Sequence, residues 1–244
     1  MTQPMPLTLA SPAENLLLAA LPDSDRQRLL PELKQVQLTP GDVIYESGLA
    51  QNFVIFPTSG VVSLVNLIEN GSSAEIAMTG NEGVVGVSVF LGVVSSVHRA
   101  IVQSEGVGYK LKADVVKREM KLGSGLQQIA LRFTQALITQ MAQTAVCNRY
   151  HTVDQRLCRW LLLTQDRLKT NELRITQENI ASLLGVRREA VTEAARKLQD
   201  AGLIGYSRGK ISILDRPHLE TRVCECYAVV KHEYDRLLPY ARRN

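Results

Sequence analysis

Residues 175–214 read ITQENIASLLGVRREAVTEAARKLQDAGLIGYSRGKISIL, and the interpretation of the fold starts from this stretch. Thr176 can cap a helix of about two turns, because a side-chain oxygen satisfies the unpaired N–H groups at a helix start. Gly185 ends that helix, since glycine tolerates the left-handed backbone of a tight turn. A second helix from about Arg187 to Gln199 follows, with its small and aliphatic residues at helical spacing. The pattern predicts two helices joined by a short turn.

Two β-type runs, Leu203 to Ser207 and Lys210 to Leu214, follow the second helix and are joined by Arg208-Gly209. They predict a hairpin with a basic tip, which completes a winged helix-turn-helix. Arginines on the helix and basic residues at the tip suit a reader of the DNA major groove, whereas an ordinary helical hairpin needs neither. The predicted DNA-binding residues are Thr176, Gln177, Arg187, Arg188, Glu189, Thr192, Glu193, Arg196, Arg208 and Lys210.

The run Gly185-Val186-Arg187-Arg188-Glu189 resembles the start of the recognition helix in the Crp/Fnr family of bacterial transcription regulators. The resemblance is strong over about residues 150–215 and looser over about 35–150. It implies a homodimer that binds double-stranded DNA and contacts RNA polymerase, with no catalytic residues. The implied α+β fold comprises a cyclic-nucleotide-binding-like β-roll (1–124), a dimerisation helix (125–150), the winged helix-turn-helix (151–217) and a C-terminal helix (218–244).

Charge is unevenly distributed along the chain. Residues 1–150 hold 11 Lys and Arg against 12 Asp and Glu, whereas residues 151–244 hold 17 against 12. The basic excess of the second part suits contact with DNA phosphates, although a solvated basic surface would have the same composition. The longest uncharged apolar run, residues 83–97, is shorter than the roughly 20 residues that cross a bilayer. No membrane segment is predicted.

From Val36 onward, short β-rich runs alternate with turn signals such as Ser59-Gly60 and Glu105-Gly106, a spacing typical of an all-β roll. By the family resemblance, a Gly-Glu pair and an Arg-Ser-Ala would bind the ribose and phosphate of cyclic AMP. This chain has Gly86-Val87 and His98-Arg99-Ala100 at those places. Val87 cannot accept a hydrogen bond, and Arg99 is one residue out of register, which in a strand turns the side chain to the opposite face.

Cyclic AMP is therefore not expected to bind, and the sequence does not identify another effector. His98 and Arg99 are the candidates for contact with a different effector, if there is one. Heme ligation by His98 is a further alternative suggested by one branch of the family, although a single His is usually structural.

The segment from about Gly125 to Tyr150 is apolar nearly all round, which predicts a helix of about 38 Å. Such a helix must be covered on several sides, by the β-roll on one and by a second copy of the chain on another. A helix buried wholly within one chain is the alternative. By the resemblance, Met141 and Ala142 occupy the positions of a Thr-Ser pair that contacts adenine, and neither matches it. Replacement of Ile138 or Met141 by Glu is expected to give monomers.

Four cysteines, Cys147, Cys158, Cys224 and Cys226, in a chain without a secretory signal predict reduced thiols and a cytoplasmic location. On a continuous helix, Cys147, His151 and Cys158 would share one stripe and could form a soft-metal or redox site. Because cysteine is often simply a small buried hydrophobe, no metal or cofactor is predicted there.

Residues 216–238 predict one further helix with an apolar side, which we expect to dock on the helix-turn-helix domain. Contact with the partner subunit or with another protein is the alternative. On such a helix Cys224 and Cys226 would point about 200° apart, too far to bind one ion.

The rival function is that of a ligand-sensing or interaction protein whose helix-turn-helix contacts another protein. Glu189 and Glu193 on the second helix favour it, whereas the basic residues favour DNA. Under the DNA hypothesis, Arg188 would bind O6 and N7 of a guanine, and Glu189 would accept from a cytosine. Glu193 stands where well-known members have a second Arg, so it either changes the half-site or is held by Arg196 or Arg187.

Overall fold

The computed structural model describes residues 10–168, 170–207 and 209–238. Its strands are β1 (Lys34–Leu38), β2 (Val43–Tyr45), β3 (Phe53–Pro57), β4 (Val61–Leu67), β5 (Ser73–Thr79), β6 (Arg99–Ser104), β7 (Gly106–Lys112), β8 (Glu172–Arg174), β9 (Ile204–Ser207) and β10 (Lys210–Ile213). Its α-helices are α1 (Leu16–Ala19), α2 (Asp23–Leu29), α3 (Val87–Phe90), α4 (Ala113–Leu122), α5 (Gly125–Tyr150), α6 (Val153–Leu168), α7 (Gln177–Leu184), α8 (Arg188–Asp200), α9 (Arg216–Arg222) and α10 (Cys226–Leu237).

The N-terminal part is a β-roll built from two antiparallel sheets, as the glycine-punctuated sequence predicts. The strand orders are β1-β7-β3 and β2-β6-β4-β5. The strands bury aliphatic and aromatic side chains between the two sheets, among them Val54, Phe56, Val62, Ala100 and Leu111. Burial of this apolar surface, at roughly 25 cal/mol per Å², is the main term that stabilises the roll.

Two of the predicted turns meet in space. A β-carbon added at Gly106 would lie 2.3 Å from the carbonyl oxygen of Ser59, and one added at Gly60 would lie 2.8 Å from that of Ser104. Gly60 also has a φ of +78°, a backbone conformation that disfavours residues other than glycine. The turn before β4 and the start of β7 therefore pack backbone against backbone.

Helix α5 has the predicted bounds and several apolar sides. One side is buried against the roll through Leu126, Ile129, Phe133 and Leu137. Gln140 on the same side pairs with the backbone of Met78 on β5: its Nε2 donates to the carbonyl at 3.1 Å, and its Oε1 accepts from the amide at 3.0 Å.

A different side of α5 stays exposed and includes apolar side chains along most of its length. These are Leu131, Ile138, Val146 and Tyr150, with Ala142 between them. They recur at helical spacing, so they form one stripe.

Within the described part of the chain, no helix has the length and apolarity to span a membrane.

The second part of the chain combines α6, α7 and α8 with a three-stranded antiparallel sheet of order β8-β10-β9. Strands β9 and β10 form the predicted hairpin. The third strand, β8, was not expected from the sequence. Helix α8 begins at Arg188, and Arg187 is its N-terminal flanking residue.

This second part packs against β5 of the roll in the same chain. Arg167 on α6 forms a buried ion pair with Glu82, with 2.7 Å between Nε and Oε1. The hydroxyls of Ser182 on α7 and Ser73 on β5 are 2.7 Å apart. These contacts set the orientation of α8 relative to the roll.

The prediction of a single C-terminal helix is wrong. Asp215 caps α9 by accepting from the amide of His218 at 3.1 Å, and the chain leaves the helix at Val223, which has extended backbone angles. Helix α10 then packs chiefly along α5, where Tyr234 accepts from Gln140 Nε2 at 2.8 Å. Docking on the helix-turn-helix domain is thus limited mainly to α9, which lies against α6.

Candidate nucleic-acid interface

The turn between α7 and α8 has the geometry that its sequence predicts. Thr176 Oγ1 accepts from the amide of Asn179 at 3.1 Å and so caps α7. Gly185 has a φ of +63° and ends that helix in the left-handed conformation. The amide of Val186 donates to the carbonyl of Ala181 at 3.0 Å, and its half-buried side chain packs against the core. The turn therefore holds α8 at a set angle to α7.

Helix α8 has one buried and one exposed face. Its buried face consists of Val191, Ala194, Ala195 and Leu198. Its exposed face carries Arg188, Glu189, Thr192, Glu193 and Arg196, all of which were predicted to contact DNA. The side chain of Arg188 is 63% exposed, and its closest carboxylate, that of Glu178, lies 3.9 Å away. An arginine so weakly paired is available to an external acceptor.

Thr192 joins the exposed faces of the two helices. Its hydroxyl is 2.7 Å from Gln177 Oε1 on α7 and 3.0 Å from the carbonyl of Arg188. The predicted residues Gln177 and Thr192 are thus neighbours.

Glu193 is held by a residue that the sequence analysis did not consider. Lys197 Nζ lies 2.9 Å from Glu193 Oε1, and the hydrogen bond lowers the pKa of Glu193. The same ammonium group is 3.5 Å from Asp154 Oδ2 on α6. Of the two alternatives for Glu193, pairing with Arg196 or Arg187 is not the one found, because Lys197 takes that place and Arg196 lies 3.7 Å from Asp200. An effect of Glu193 on the half-site stays a prediction. The i,i+4 spacing of Glu193 and Lys197 was the sequence signal for this pair.

The hairpin that follows α8 places a second basic group at the domain surface. Lys210 Nζ is 2.5 Å from Glu172 Oε1 on β8, and both side chains are about half exposed. Gly209 has a φ of +78° and lets the chain reverse. Arg208, the other predicted contact at this tip, lies outside the described residues.

In the β-roll, Arg99 does not reach the interior, and His98 is half-buried with its ring centroid 5.9 Å from that of Tyr45. Ala100 and Val102 of β6 are buried inside the roll, whereas Arg99 and Ile101 lie on the opposite face. Arg99 Nη2 donates to Glu46 Oε1 at 2.9 Å and borders a cleft of about 420 Å³ between the roll and α7. The ring of His98 is 2.9 Å from Ser96 Oγ, and burial lowers its pKa.

The segment with Gly86-Val87 is packed with apolar side chains. Val87 begins the short helix α3, and Val85 beside it is buried. A β-carbon at Gly83 would lie 2.2 Å from the ring of Phe133 on α5, so this ring fills the space directly beneath the segment.

Four residues that the sequence analysis treated separately come together at the end of α5. Cys147 Sγ is 3.6 Å from Cys224 Sγ, and Cys226 Sγ is 3.5 Å from His151 Nδ1. All four ligand atoms lie within 4.8 Å of one another. A hydrogen bond from the Cys147 thiol lowers the pKa of Cys224 to about 6.

The predicted divergence of Cys224 and Cys226 is wrong, and the continuous helix that would have placed Cys158 in one stripe with Cys147 does not exist. Helix α5 ends at Tyr150, and Cys158 lies outside the cluster. Cys224 precedes α10 and Cys226 begins it, so their side chains converge instead of diverging.

The chain thus combines a β-roll, a long helix and a winged helix-turn-helix, and the last of these is a motif whose second helix lies in the DNA major groove in the proteins that use it. Residues 155–222 match the family model of the Crp-like helix-turn-helix domain, and this part of the chain belongs to that domain family.

Solved structures agree over most of the chain. A Crp/Fnr-family transcriptional regulator from Eubacterium rectale superposes with a TM-score of 0.67 and 22% identity, covering 84% of this chain and 96% of its own. FixK2 from Bradyrhizobium japonicum gives 0.69 at 16% identity, covering 79% and 98%. A CRP-family transcriptional regulator from Thermus thermophilus gives 0.64 at 18% identity, covering 77% and 95%. No curated protein is significantly similar in sequence.

The chain therefore has the fold of the Crp/Fnr regulators and carries a Crp-like helix-turn-helix domain. The predicted resemblance and the predicted α+β fold class are confirmed.

Proposed function

We propose that this protein is a homodimeric, sequence-specific DNA-binding regulator of transcription whose β-roll does not bind cyclic AMP. The observation that carries the proposal is the exposed polar face of α8, held by a capped helix and a tight turn. Arg188 lies near the start of that face, where the first turns of a recognition helix meet base edges. Its guanidinium fork matches O6 and N7 of a guanine.

The other exposed residues complete a contact surface for one half-site. Glu189 accepts from the N4 amino group of a cytosine, and Thr192 contacts either a base edge or the phosphate backbone. Lys210, together with Arg187 and Arg196, supplies positive charge for phosphates. Arg208 at the wing tip has the same role by its place in the sequence.

The exposed apolar stripe of α5 supports the homodimer. Leu131, Ile138 and Val146 lie along it, and Ala142 between them allows close approach of a second helix. Two copies of the stripe bury one another about a two-fold axis, which presents two α8 helices to successive major grooves about one helical turn apart.

The proposal that cyclic AMP does not bind is supported by the chemistry of the residues at the positions that would contact it. Val87 has no acceptor for a ribose hydroxyl, and a hydroxyl buried without a partner costs roughly 1–3 kcal/mol. Arg99 is paired with Glu46 on the outer face of β6. Met141 and Ala142 offer no polar atom to an adenine.

The rival function is a protein-contact module, for which Glu189 and Glu193 are the best support. The pairing of Glu193 with Lys197 neutralises one of these two carboxylates, so the face of α8 is less acidic than the sequence alone indicates. Arg188 and Arg196, by contrast, are held only by distant, exposed carboxylates. The exposed face of α8 therefore suits DNA better than it suits a protein partner. RNA polymerase is proposed as a further partner on the family resemblance alone.

The test is binding of the full chain to the DNA upstream of its own gene, measured by gel shift from about 50 to 200 mM salt. A protein that makes six to ten phosphate contacts loses roughly 10³- to 10⁵-fold in affinity over this range. Random DNA of equal length is the control and should bind more weakly throughout. Absence of binding at the lowest salt, or equal binding to both DNAs, would contradict sequence-specific recognition.

A further inference from the structure

We infer that Cys147, His151, Cys224 and Cys226 form a binding site for one tetrahedrally coordinated zinc ion at the junction between α5 and the helix-turn-helix domain. Three sulfur atoms and one imidazole nitrogen are a frequent ligand set of structural zinc sites.

Two of the separations between the ligand atoms are close to the edges of a zinc tetrahedron. With Zn–S of about 2.3 Å and Zn–N of about 2.1 Å, tetrahedral angles place two sulfurs about 3.8 Å apart and a sulfur and a nitrogen about 3.6 Å apart. The corresponding distances here are 3.6 Å for Cys147 to Cys224 and 3.5 Å for Cys226 to His151. The remaining pairs all lie within 4.8 Å. A single ion fits this space, whereas an iron–sulfur cluster holds its ligands further apart.

The imidazole is oriented as a zinc ligand requires. His151 Nδ1 faces the sulfur of Cys226, and Nε2 on the other side of the ring is 3.3 Å from Glu225 Oε2. A carboxylate that accepts from the second ring nitrogen fixes both the tautomer and the ring plane of a metal-bound histidine. Glu225 stands between two of the thiol ligands in the sequence, so the same turn supplies ligands and support.

Two buried arginines provide positive charge beside the thiols. Three thiolates and one neutral imidazole around Zn²⁺ carry a net charge of −1, which a neighbouring cation compensates. Arg159 on α6 is buried and donates to Thr144 Oγ1 at 3.1 Å, and its charge acts on Cys147, whose pKa is nevertheless raised by the hydrogen bond to Cys224 and by burial. Its Nε and Nη1 make no hydrogen bond within the described residues, and thiolate sulfur is an acceptor for such groups. Arg156, also buried, interacts electrostatically with Cys147.

An ion at this site would stabilise the arrangement of the helices whose ends meet there. Cys147 is in the last turn of α5, and His151 is the residue at which that helix ends before α6 begins at Val153. Cys224 and Cys226 belong to the turn between α9 and α10. One ion at this point joins three helix ends, and so fixes the angle at which the helix-turn-helix domain leaves α5.

The first test is the metal content of the full chain, expressed with zinc in the medium and purified under reducing conditions without chelator. Mass spectrometry of the element should find about one zinc per chain in the wild type. Cys224→Ser and Cys226→Ser should hold well under half of that, whereas Cys158→Ser, a buried cysteine outside the cluster, should match the wild type. Equal zinc in all four proteins would overturn the inference.

The second test is Co²⁺ binding to the reduced, chelator-treated wild type. Tetrahedral thiolate coordination gives intense visible bands and a near-ultraviolet sulfur-to-cobalt charge-transfer band, both removed by added Zn²⁺. Glu225→Gln should keep the spectrum but weaken zinc binding by roughly 10- to 100-fold, since it changes only the support of His151. Because the Glu225 side chain is exposed, this variant tests the zinc site even if the cysteine variants do not fold.

Two results would contradict the site. A weak spectrum typical of octahedral Co²⁺ would show that the thiols do not bind the ion. A Cys147–Cys224 disulfide in protein purified without oxidant, together with no bound metal, would instead identify a thiol redox pair.

Discussion

The outer face of α8 and the face of β6 that carries Arg99 present arginines in two opposite states. Arg188 on α8 is 63% exposed, with its closest carboxylate 3.9 Å away. Arg99 on β6 is 22% exposed and bound to Glu46 at 2.9 Å. An arginine that recognises an external anion must exchange its present partners for that anion, and the exchange costs more where the partner is close and the site is buried. Arg188 is therefore the more available of the two for an external anion, whereas Arg99 already has a close partner within the protein.

The largest expected effect is on the proposed dimer, on which the proposed DNA binding depends. Ile138→Glu places a charge in the exposed stripe of α5, and an unpaired charge buried at an interface costs roughly 3–5 kcal/mol. We expect monomers by light scattering and a loss of operator affinity of roughly a hundredfold or more. Leu122→Glu on α4, a position with similar exposure, is the control and should remain dimeric.

Met141→Glu is less informative than the sequence suggests, because Met141 is half-buried against the core of its own chain. A dimeric Ile138→Glu variant with normal DNA affinity would show that the stripe is not the dimer interface.

The second-largest expected effect is a change in the free energy of unfolding, caused by a buried carboxyl group of the β-roll. Burial raises the pKa of Glu75 on β5 to about 7. The folded state thus holds this proton more tightly than the unfolded chain, so the contribution to stability is complete below about pH 4.5 and is lost as the pH rises through 7. Glu75→Gln should raise the free energy of unfolding at pH 8 by about 2–3 kcal/mol, with little change at about pH 4.

Urea denaturation of wild type and variant at the two pH values measures this difference. Glu69→Gln, on the exposed hairpin between β4 and β5, should leave both values unchanged. An equal effect of Glu75→Gln at both pH values would show that Glu75 does not titrate in this range.

The third prediction separates base reading from phosphate binding. Arg188→Ala should cost roughly 1–3 kcal/mol on the preferred operator and relax the preference at one base pair. Lys210→Ala should weaken binding to all sequences alike and lower the salt slope by about one. Binding to single-base variants of the operator distinguishes the two. If Arg188→Ala weakened every sequence equally, Arg188 would be a phosphate contact.

A smaller effect is expected at Glu193. Because Lys197 holds its carboxylate, Glu193 contributes at most one base preference. We expect Glu193→Arg to alter the selected base at one pair of the half-site in a randomised-site selection, with the guanine under Arg188 retained. Identical half-sites for wild type and variant would exclude Glu193 from recognition.

The smallest expected effect is none at all: titration of the wild type with cyclic AMP should give no binding heat at micromolar concentrations. A calorimetric site of micromolar affinity or better would contradict the proposal that the β-roll does not bind cyclic AMP.

The helix-turn-helix was predictable because its determinants are local. Thr176 directly precedes α7 and accepts from the amide of Asn179, and Gly185 ends the helix. A short window of sequence therefore contains the residues that fix both ends of this helix. The same holds for α5, whose 26 residues lack an internal glycine or proline. The occurrence of these elements follows from neighbouring residues alone.

The errors arise where partners are distant in sequence. Strand β8 has three residues, and its pairing with β10 joins residues about 40 positions apart, so no local pattern indicates it. The cysteine cluster spans Cys147 to Cys226 and requires a helix break at Val223 that no glycine or proline marks. The pairing of Glu193 with Lys197 is the exception, because its i,i+4 spacing is local and was predictable.

Strand β5 forms the end of its sheet, and an open sheet edge is a template for strand addition and aggregation. Gln140 occupies both backbone groups of Met78 on that edge, and α7 packs against the same strand. A helix side chain thus takes the place of the missing neighbouring strand. At Met78 this edge is closed to β-type pairing with a second copy, whereas the proposed contact through the exposed stripe of α5 needs no strand pairing.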